Sequence, residues 1–380
     1  MKRQQKRPLK ILIFNWQDIK HPLGGGAEVH LHEIFKRIAA QGHSVTLYCS
    51  MFPGAKSEEF IDGIRIIREG SRNLFNFFVP IRYRSRFRHE GYDMVIDDIN
   101  KIPFYAPLFV QEPVLALVHH LFRRSIFLEA SVPGAFYVYL SESMALPVYR
   151  KTPIAVYSES SRLELLSYGF DSNLIYHVPI AITMKVSGKP KAAKKSNPVI
   201  GYLGRIKKYK SIDHLLRAFQ IVHKEIANAE LLILGDGDAR PALERLAREL
   251  NIDEAATFAG FVDEKEKIRL LGKMSVVVNT SAKEGWGLTV TEANACGVPV
   301  VASNVPGLRD SVIEGKTGLL YEYGNISQLA RKIIEVLKDR KLQAGLGREA
   351  LKFARLLNWD TSAQKMLDVM KQTIAARHTR

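Results

Sequence analysis

Short β-branched segments alternate with longer helical patterns along nearly the whole chain, and this alternation constrains the fold more than any other feature. In the first half, apolar segments predict buried strands at residues 11–15, 44–49, 94–97, 114–119 and 154–158, with helical patterns such as 28–41 between them. Strands that alternate with helices build parallel, doubly wound sheets. The first half is therefore expected to be an α/β domain.

The second half repeats this plan. Strands are predicted at residues 199–203, 230–234, 256–259, 275–279 and 298–302, and helices at 212–225, 239–250, 264–272 and 289–295. Residues 188–198 are polar and basic and lack apolar periodicity, as a linker does. The sequence thus predicts two Rossmann-like domains, residues 1–187 and 199–357, facing each other across a cleft. Ligands of such sheets bind beyond the carboxyl ends of the strands, so the loops there are the candidate sites.

Composition narrows the class of protein. Of 380 residues, 46% are hydrophobic and 25% are charged, which excludes a mainly disordered chain. Two cysteines, Cys49 and Cys296, cannot supply a disulfide framework. The first ten residues are basic, but neither a signal-peptide core nor an apolar run of membrane-spanning length follows. We expect a cytoplasmic protein whose membrane contact, if any, is peripheral on the inner face.

A glycine-rich loop follows the first predicted strand. Gly24, Gly25 and Gly26 precede a helix that is expected to begin near Glu28. Glycines allow a close approach of the backbone to a ligand, and a helix N-terminus attracts anions, which predicts a phosphate or sugar nearby. The spacing matches neither the dinucleotide fingerprint nor the P-loop, so a simple tight turn remains an equal interpretation.

A second loop combines glycine with cations. Gly204 and Arg205 end a strand, and Lys210 follows five residues later. The arginine could grip a diphosphate as a bidentate fork and the lysine as a point charge. Lys207, Lys208 and Lys210 could instead form a solvated charge run, which is the favoured interpretation of this loop when it is taken alone.

The third loop is the most specific. It runs from Ser281 to a helix that starts near Leu288 and Thr289, and two glutamates, Glu284 and Glu292, bracket its Gly285-Trp286-Gly287 sequence. The N–H groups of the first helical turn could hold phosphate or sugar hydroxyls, and the Glu292 carboxylate could accept hydrogen bonds from ribose hydroxyls. The alternative is that the glutamates merely favour the positive end of a helix.

Two pairs of aspartates could suggest a metal. Asp236-Gly-Asp238 has the spacing that manganese-dependent sugar transferases of another fold use, but it lies between a strand and a helix. A turn followed by an N-cap is the better interpretation. Asp97 and Asp98 end a strand. No metal site is predicted at either pair.

Taken together, these motifs resemble those of the retaining glycosyltransferases of family 4, which have the GT-B fold. The resemblance rests on Gly-Arg with a lysine five residues later, on Gly235-Asp-Gly237, on the two glutamates around Gly-Trp-Gly-Leu, and on Gly-Val-Pro-Val-Val-Ala-Ser followed by Pro306-Gly307 and Gly318. It covers nearly the whole chain and is weakest over residues 50–150. In this fold the last helix, expected within residues 358–380, crosses back to the first domain.

The resemblance implies a role for each candidate residue. Arg205 and Lys210 would hold the donor pyrophosphate and stabilise the departing nucleoside diphosphate, with Gly204 beside them. Glu292 would bind the ribose, while Glu284 and the backbone from Gly285 through Thr289 would grip the sugar. His119 would approach the transferring sugar, with Gly25 and Gly26 near the phosphates. Whether His119 or His120 enters the cleft is left open, and Ser211 replaces a usual glycine.

The resemblance also implies a mechanism without a metal or other cofactor. Retention of configuration requires a covalent intermediate or attack on the same face that the leaving group departs from. The second route is expected, in which the acceptor hydroxyl loses its proton to the leaving phosphate. The donor would be a UDP- or GDP-sugar and the acceptor a lipid-linked or cell-envelope glycan. Two alternatives are an inactive nucleotide-sugar-binding protein and a nucleic-acid-binding protein.

The net charge of +16 is locally concentrated. From Arg65 to Arg88, seven arginines face one acid, Glu69, and aromatic residues lie among them. Val79-Pro80 could open a helix here. Such a segment could lie on an anionic membrane, hold nucleic acid, or simply be a docked helix with a solvated basic side. Membrane contact and the docked helix are retained as equal interpretations, and no nucleic acid is expected.

Overall fold

The computed structural model describes residues 7–100, 102–128, 130–184 and 197–378. These residues form two compact units: the first lies within the bounds Met1–Ile126, Ser131–Ala181 and Asn358–Arg380, and the second within Phe127–Ala130 and Ile182–Leu357. The predicted linker, residues 188–198, lies outside the described residues except for Asn197 and Pro198.

An eight-stranded sheet forms the centre of the first unit. Its strands are β1 (Lys10–Phe14), β2 (Ser44–Ser50), β3 (Glu58–Ile61), β4 (Ile64–Glu69), β5 (Met94–Ile99), β6 (Val114–Val118), β7 (Ile154–Val156) and β8 (Ile175–His177). They are ordered β3-β4-β2-β1-β5-β6-β7-β8, and every pairing is parallel except that of β3 with β4. The parallel sheet that the alternation predicted is confirmed, whereas the β3–β4 hairpin was missed.

Helices cover this sheet. They are α1 (Gly26–Ala40), α2 (Phe75–Ser85), α3 (Val132–Tyr149) and α4 (Glu159–Ser167). The prediction that Val79-Pro80 opens a helix is wrong, because α2 begins at Phe75 and includes Pro80. Phe75, Val79 and Tyr83 recur every four residues, so they share one helical face and are buried together in the core.

A six-stranded, fully parallel sheet forms the centre of the second unit. Its strands are β9 (Val199–Leu203), β10 (Glu230–Leu234), β11 (Ala256–Gly260), β12 (Val276–Asn279), β13 (Val300–Ser303) and β14 (Gly318–Tyr321), in the order β11-β10-β9-β12-β13-β14. Its helices are α5 (Ile212–Glu225), α6 (Arg240–Glu249), α7 (Glu264–Leu271), α8 (Leu288–Ala295), α9 (Leu308–Ser311), α10 (Ile326–Lys338) and α11 (Arg340–Leu356). Apolar clusters fill both faces of the sheet.

The last helix, α12 (Trp359–His378), belongs to the first unit and packs against α1. Ala363, Met366 and Met370 are fully buried, as their spacing requires of one helical face. The Ser362 hydroxyl donates to the carbonyl oxygen of Pro179 at 2.7 Å, and Arg37 on α1 pairs with Asp360 at 2.9 Å. The second unit ends at Leu357, and the chain returns to the first unit at Asn358, one residue before α12 begins.

A glycine sets the packing distance of α11 in the second unit. A Cβ placed on Gly347 would lie 2.4 Å from the carbonyl oxygen of Gly297, which follows α8. Gly345 lies in the same helix, and the nearest neighbour of its Cβ would be the Arg348 guanidinium at 3.9 Å. The two glycines therefore differ in packing but share one helical backbone.

We predict opposite effects on stability for the two alanine substitutions. Gly347→Ala forces α11 away from a rigid backbone and should lower the free energy of unfolding by about 1–3 kcal/mol. Gly345→Ala should raise it by roughly 0.5–1 kcal/mol, because alanine is the better helix former. Chemical denaturation of both variants measures this difference, and equal effects would contradict the close approach at Gly347.

Candidate functional site

The second unit's strand order reverses between β9 and β12. Chain connections leave these two neighbouring strands in opposite directions, and the crevice between such strands is where ligands bind to open α/β sheets. The loop after β9 carries Gly204, Arg205 and Lys210, and the loop after β12 carries residues 280–287. The topology therefore brings the second and third candidate loops to one edge of the sheet.

Direct hydrogen bonds join these two loops. The Thr280 hydroxyl donates to the carbonyl oxygen of Lys210 at 2.8 Å, and the Ala282 N–H donates to that of Tyr209 at 2.9 Å. Lys210 Nζ donates to Glu284 Oε1, which also accepts from the Ser281 hydroxyl at 2.8 Å. Lys210 and Glu284, 74 positions apart in sequence, thus form one ion pair.

The Lys210–Glu284 pair is shielded from solvent. The two side chains are 13% and 15% exposed. Burial disfavours the charged ammonium, but the Glu284 carboxylate outweighs this and holds the pKa of Lys210 above its usual range. Lys210 therefore stays cationic near neutral pH, as a group that contacts a diphosphate must.

The backbone of residues 284–287 is fixed by its contact with the turn at Pro306-Gly307. A Cβ on Gly307, whose φ is +83°, would lie 2.2 Å from the carbonyl oxygen of Glu284. Gly287 is the N-cap of α8 at φ +91°, and no side chain caps this helix. The N–H groups of its first turn, at Leu288 and Thr289, have no side-chain cap to occupy them.

Arg205 is exposed and has no acid within ion-pair distance in the described part of the chain. Its backbone is held by the glycine turn after β10: a Cβ on Gly235 would lie 2.0 Å from the carbonyl oxygen of Gly204, and one on Gly237 would lie 2.1 Å from that of Ile206. Burial raises the pKa of Tyr202, and Lys210, Glu284 and Arg205 all influence this phenol electrostatically. The Tyr202 hydroxyl donates to the carbonyl oxygen of Arg205 at 3.1 Å, which also holds this part of the loop.

The aspartates of that turn have structural partners. Asp238 pairs with Lys207 at 2.8 Å, and Asp236 accepts from the Gly237 N–H at 2.7 Å. The predicted turn is present, but the predicted N-cap is wrong: α6 starts at Arg240 with Ala239 as its N-cap and no capping side chain. Close backbone approach explains why glycines occupy this sequence.

Glu292 lies on α8 and pairs with Lys267 of α7 at 2.6 Å. The lysine was not predicted, because nothing in the sequence links residues 25 positions apart on different helices. Lys267 contacts Oε1 of Glu292 and neutralises a carboxylate that is 22% exposed.

Ser211 occupies the position where the related family usually has glycine. Its backbone adopts φ +49° and ψ +44°, the left-handed region that glycine enters most easily. Its hydroxyl lies 2.9 Å from the Tyr323 hydroxyl, and its N–H donates to the carbonyl oxygen of Lys208. Serine thus keeps the backbone conformation of a glycine and is held there by Tyr323.

In the first unit, the strand order reverses between β1 and β5. The glycine-rich loop after β1 forms a turn in which the Gly24 N–H donates to the carbonyl oxygen of His21 at 2.8 Å. The Glu28 side chain accepts from the N–H of Gly25, the N-cap of α1, at 2.6 Å and from Asn100 Nδ2 at 2.9 Å. Gly26 is exposed at the helix start. Burial raises the pKa of Glu28.

His119 follows β6 and contacts the carboxylate of Asp98, for which the sequence predicted no role. Its Nε2 lies 3.0 Å from Asp98 Oδ1 on β5, and Asp98 is fully buried with its other oxygen unpaired. Burial alone would lower the pKa of His119, but Asp98 raises it above the usual histidine value. Asp98 therefore orients the ring and favours its charged form.

The neighbouring aspartate and histidine have different partners. Asp97 accepts from the Tyr149 hydroxyl and from the Ala106 N–H at 3.0 Å, and burial raises its pKa to about 6. The His120 ring packs on Phe122 at 4.4 Å between ring centroids. The His30 ring lies 5.9 Å from the His119 ring between centroids, and burial holds the pKa of His30 well below the usual value. His119, the first of the two adjacent histidines, contacts Asp98 through its Nε2.

Two family models match consecutive parts of this chain. The model described as Glycosyltransferase Family 4 matches residues 24–184, and the model described as Glycosyl transferases group 1 matches residues 186–353. Their junction, between residues 184 and 186, lies close to the change from the first unit to the second at Ile182. The chain belongs to the family 4 glycosyltransferases, a class that acts on nucleotide sugars.

Relatives of known name share the same class. The chain is 27% identical over 243 residues to the capsular polysaccharide biosynthesis glycosyltransferase CapM of Staphylococcus aureus, an alignment that covers 59% of this chain and 63% of CapM. It is 25% identical over 391 residues to a GDP-mannose-dependent phosphatidylinositol monomannoside mannosyltransferase of Mycobacterium tuberculosis, which covers 94% of this chain and 97% of that enzyme. The chain thus spans less than two thirds of CapM.

Solved structures identify the fold as GT-B. Sucrose-phosphate synthase from Thermosynechococcus elongatus matches with a TM-score of 0.80 and 22% identity over 97% of this chain and 100% of that chain. HepE from Anabaena, crystallised with UDP-glucose, matches with a TM-score of 0.71 and 18% identity over 96% of this chain and 100% of that chain. The predicted fold class is confirmed.

The Asp98–His119 contact predicts how the histidine titrates. Asp98→Asn removes the charge that raises the pKa of His119 and leaves burial, which lowers it. The His119 pKa should therefore fall below the usual histidine value, so that the ring is neutral near pH 7. An NMR titration of the His119 ring protons measures this shift.

Glu28→Gln is the matched control for that titration. Glu28 also raises the pKa of His119, but it does so less than Asp98 and makes no hydrogen bond to the ring. The control should produce a smaller fall. Equal shifts in both variants, or none in Asp98→Asn, would contradict a specific role for Asp98.

Proposed function

We propose that the chain is a retaining hexosyltransferase that moves a sugar from a UDP- or GDP-sugar to an acceptor hydroxyl without a metal ion. The observation that carries this proposal is the shielded Lys210–Glu284 pair, set at the strand-order reversal beside the uncapped start of α8. In this pair, Lys210 supplies a positive charge for a diphosphate, and Glu284 supplies a carboxylate for a sugar hydroxyl. Membership of a nucleotide-sugar-using class supports the same assignment.

The rate enhancement would come from electrostatics. Departure of a nucleoside diphosphate places negative charge on the leaving oxygen, and preorganised cations stabilise that charge before the bond breaks. Lys210 is fixed by Glu284 and by its backbone contact with Thr280. Arg205 is exposed and forms no ion pair with an acid of the described residues, so its guanidinium is available to a second phosphate.

We propose that configuration is retained by same-face attack, in which the leaving phosphate takes the proton of the acceptor hydroxyl. Glu284 is the carboxylate that a covalent mechanism would need as a nucleophile. Its Oε1 is already engaged by Lys210 and by the Ser281 hydroxyl, which lowers its nucleophilicity. We therefore assign it to sugar binding. His119, oriented by Asp98, would contact the transferring sugar.

The acceptor is proposed to be a lipid-linked or cell-envelope glycan, reached by a cytoplasmic enzyme that is peripheral on the inner membrane face. The relative from Mycobacterium tuberculosis bears a name that specifies a phosphatidylinositol mannoside acceptor, and CapM is named for capsular polysaccharide. Among the helices of the described residues, none is long and apolar enough to cross a bilayer.

The segment from Arg65 to Arg88 retains only part of its predicted role in membrane contact. Arg65 pairs with Glu58 at 2.7 Å, Arg68 is buried against Asp18 at 2.6 Å, and Arg86 pairs with Glu90 at 3.0 Å. Arg82 also pairs with Glu69. Glu69, the one acid of the segment, neutralises Arg82, and acids outside the segment neutralise the other three arginines. We propose membrane contact only for the remaining exposed part of this segment.

The prediction that tests the catalytic assignment is loss of turnover in Arg205→Ala. Removing one group that stabilises the departing charge should reduce turnover of the donor about a hundred- to a thousandfold. Because the Arg205 side chain is exposed, the melting temperature should not change. Release of nucleoside diphosphate measures turnover, and NMR of the wild-type product should show the anomeric configuration of the donor.

Lys208→Ala is the matched control, since Lys208 is exposed in the same basic run. It should keep wild-type turnover if the site is specific and not a solvated charge run. A fully active Arg205→Ala variant would refute the catalytic assignment. Binding of the donor without any turnover by the wild type would instead favour an inactive nucleotide-sugar-binding protein, and a sugar adduct on Glu284 would overturn same-face attack.

A further inference from the structure

The solvent side of α3 carries no charge. Five of its large side chains are 44–72% exposed: Val132, Phe136, Tyr137, Leu140 and Met144. Glu142 is the helix's one charged residue, and it is buried, where its carboxylate accepts from the N–H groups of Phe122 and Arg123 at 2.7 Å each. A helix at the surface of a soluble protein normally presents polar residues to water. The outer face of α3 instead presents large apolar side chains to water.

The exposed face of α2 continues this surface. Leu74, which precedes α2, and Phe77 and Ile81 within it are 54%, 58% and 67% exposed. Asn76 Nδ2 donates to the Tyr137 hydroxyl at 3.0 Å, so α2 and α3 adjoin at this point. These eight large apolar side chains are each 44–72% exposed, and grouped exposed apolar side chains mark interaction sites. We call these eight residues the α2–α3 surface.

Cations without partners lie at one end of this surface. Arg84 comes one turn after Ile81 on α2, Arg88 lies in the short 3-10 helix that follows α2, and both are exposed. Within the described residues, neither has a carboxylate at ion-pair distance, whereas Arg82 and Arg86 are both paired. The local arrangement is an apolar face with unneutralised positive charge beside it.

We propose that the α2–α3 surface docks on an anionic lipid bilayer, with its apolar side chains in the interfacial region and Arg84 and Arg88 on the headgroups. Apolar burial and attraction to anionic lipid are the two contributions that hold an interfacial helix. The docking itself does not depend on the proposed function. Only its biological role, which is to bring the enzyme to a membrane-bound acceptor, rests on that function.

Two other partners fit this surface less well. A second copy of the chain would present Arg84 and Arg88 to an identical surface that has the same cations and no acid among its eight residues, which opposes association. A nucleic acid would need several exposed aromatic rings among the arginines for base stacking. Phe75, Tyr83 and Phe87 of this segment are buried, and the exposed ring of Phe77 lies between the apolar side chains of Leu74 and Ile81 in sequence. Charge complementarity therefore favours anionic lipid.

Vesicle flotation of the full chain tests the docking without any need for turnover. Wild type should float with vesicles of equal parts phosphatidylcholine and phosphatidylglycerol, and much less with phosphatidylcholine alone. The double variant Phe136→Glu/Leu140→Glu should reduce binding at least tenfold, because it places carboxylates at the lipid interface. Both side chains are exposed, so folding should be preserved. Leu163→Glu, on α4 and 54% exposed, is the matched control and should float as wild type does.

A second pair of variants isolates the charge. Arg84→Gln/Arg88→Gln should weaken flotation about thirtyfold, at about fivefold for each basic residue near the surface. Arg82→Gln should have a smaller effect because Glu69 already neutralises Arg82. Wild type that does not float, or apolar-face variants that float unchanged, would overturn the proposal. A dimer that Phe136→Glu/Leu140→Glu converts to a monomer, with flotation unaffected, would assign the surface to self-association instead.

Discussion

Parallel strand direction is the constraint on which the candidate sites depend. In the second unit every strand runs the same way, so the loops after β9, β10 and β12 all emerge at one edge of the sheet. The reversal of strand order between β9 and β12 opens a crevice at that edge. Lys210 and Glu284 meet there, although 74 positions separate them. Backbone contacts at Gly235, Gly237 and Gly307, too close for any side chain, then hold the loops in place.

The net charge of +16 divides into parts with different partners. Arg68 and Arg82 form ion pairs within the fold, with Asp18 and Glu69 respectively. Lys210 is held charged by Glu284, and Arg205 remains exposed beside it. Arg84 and Arg88 stay unneutralised next to the α2–α3 surface within the described residues. Net charge alone could not separate these groups, since pairing depends on which strands and helices become neighbours.

Much of the fold could be predicted from the sequence because buried parallel strands have a strong apolar signature. Val199–Leu203, Glu230–Leu234 and Ile212–Glu225 have their predicted bounds. The β3 and β4 strands were missed. Glu58–Ile61 lies at a sheet edge and has no buried residue, and arginines interrupt the apolar pattern of Ile64–Glu69. The motifs located the candidate loops, but not the partners within them. Lys267 beside Glu292 and Asp98 beside His119 depend on packing between separate elements, which local patterns do not encode.

Binding of a nucleoside diphosphate to the Lys210 site is the central claim, and thermal shift measures it most directly. UDP, GDP and their sugar conjugates should be screened against the wild type and against Lys210→Met. A ligand at a hundred times its dissociation constant stabilises the fold by about 2.7 kcal/mol, which is easily resolved as a rise in melting temperature. We predict such a rise for at least one uridine or guanosine diphosphate in the wild type and its loss in Lys210→Met. No rise with any of these ligands at millimolar concentration, or an equal rise in both proteins, would contradict the account.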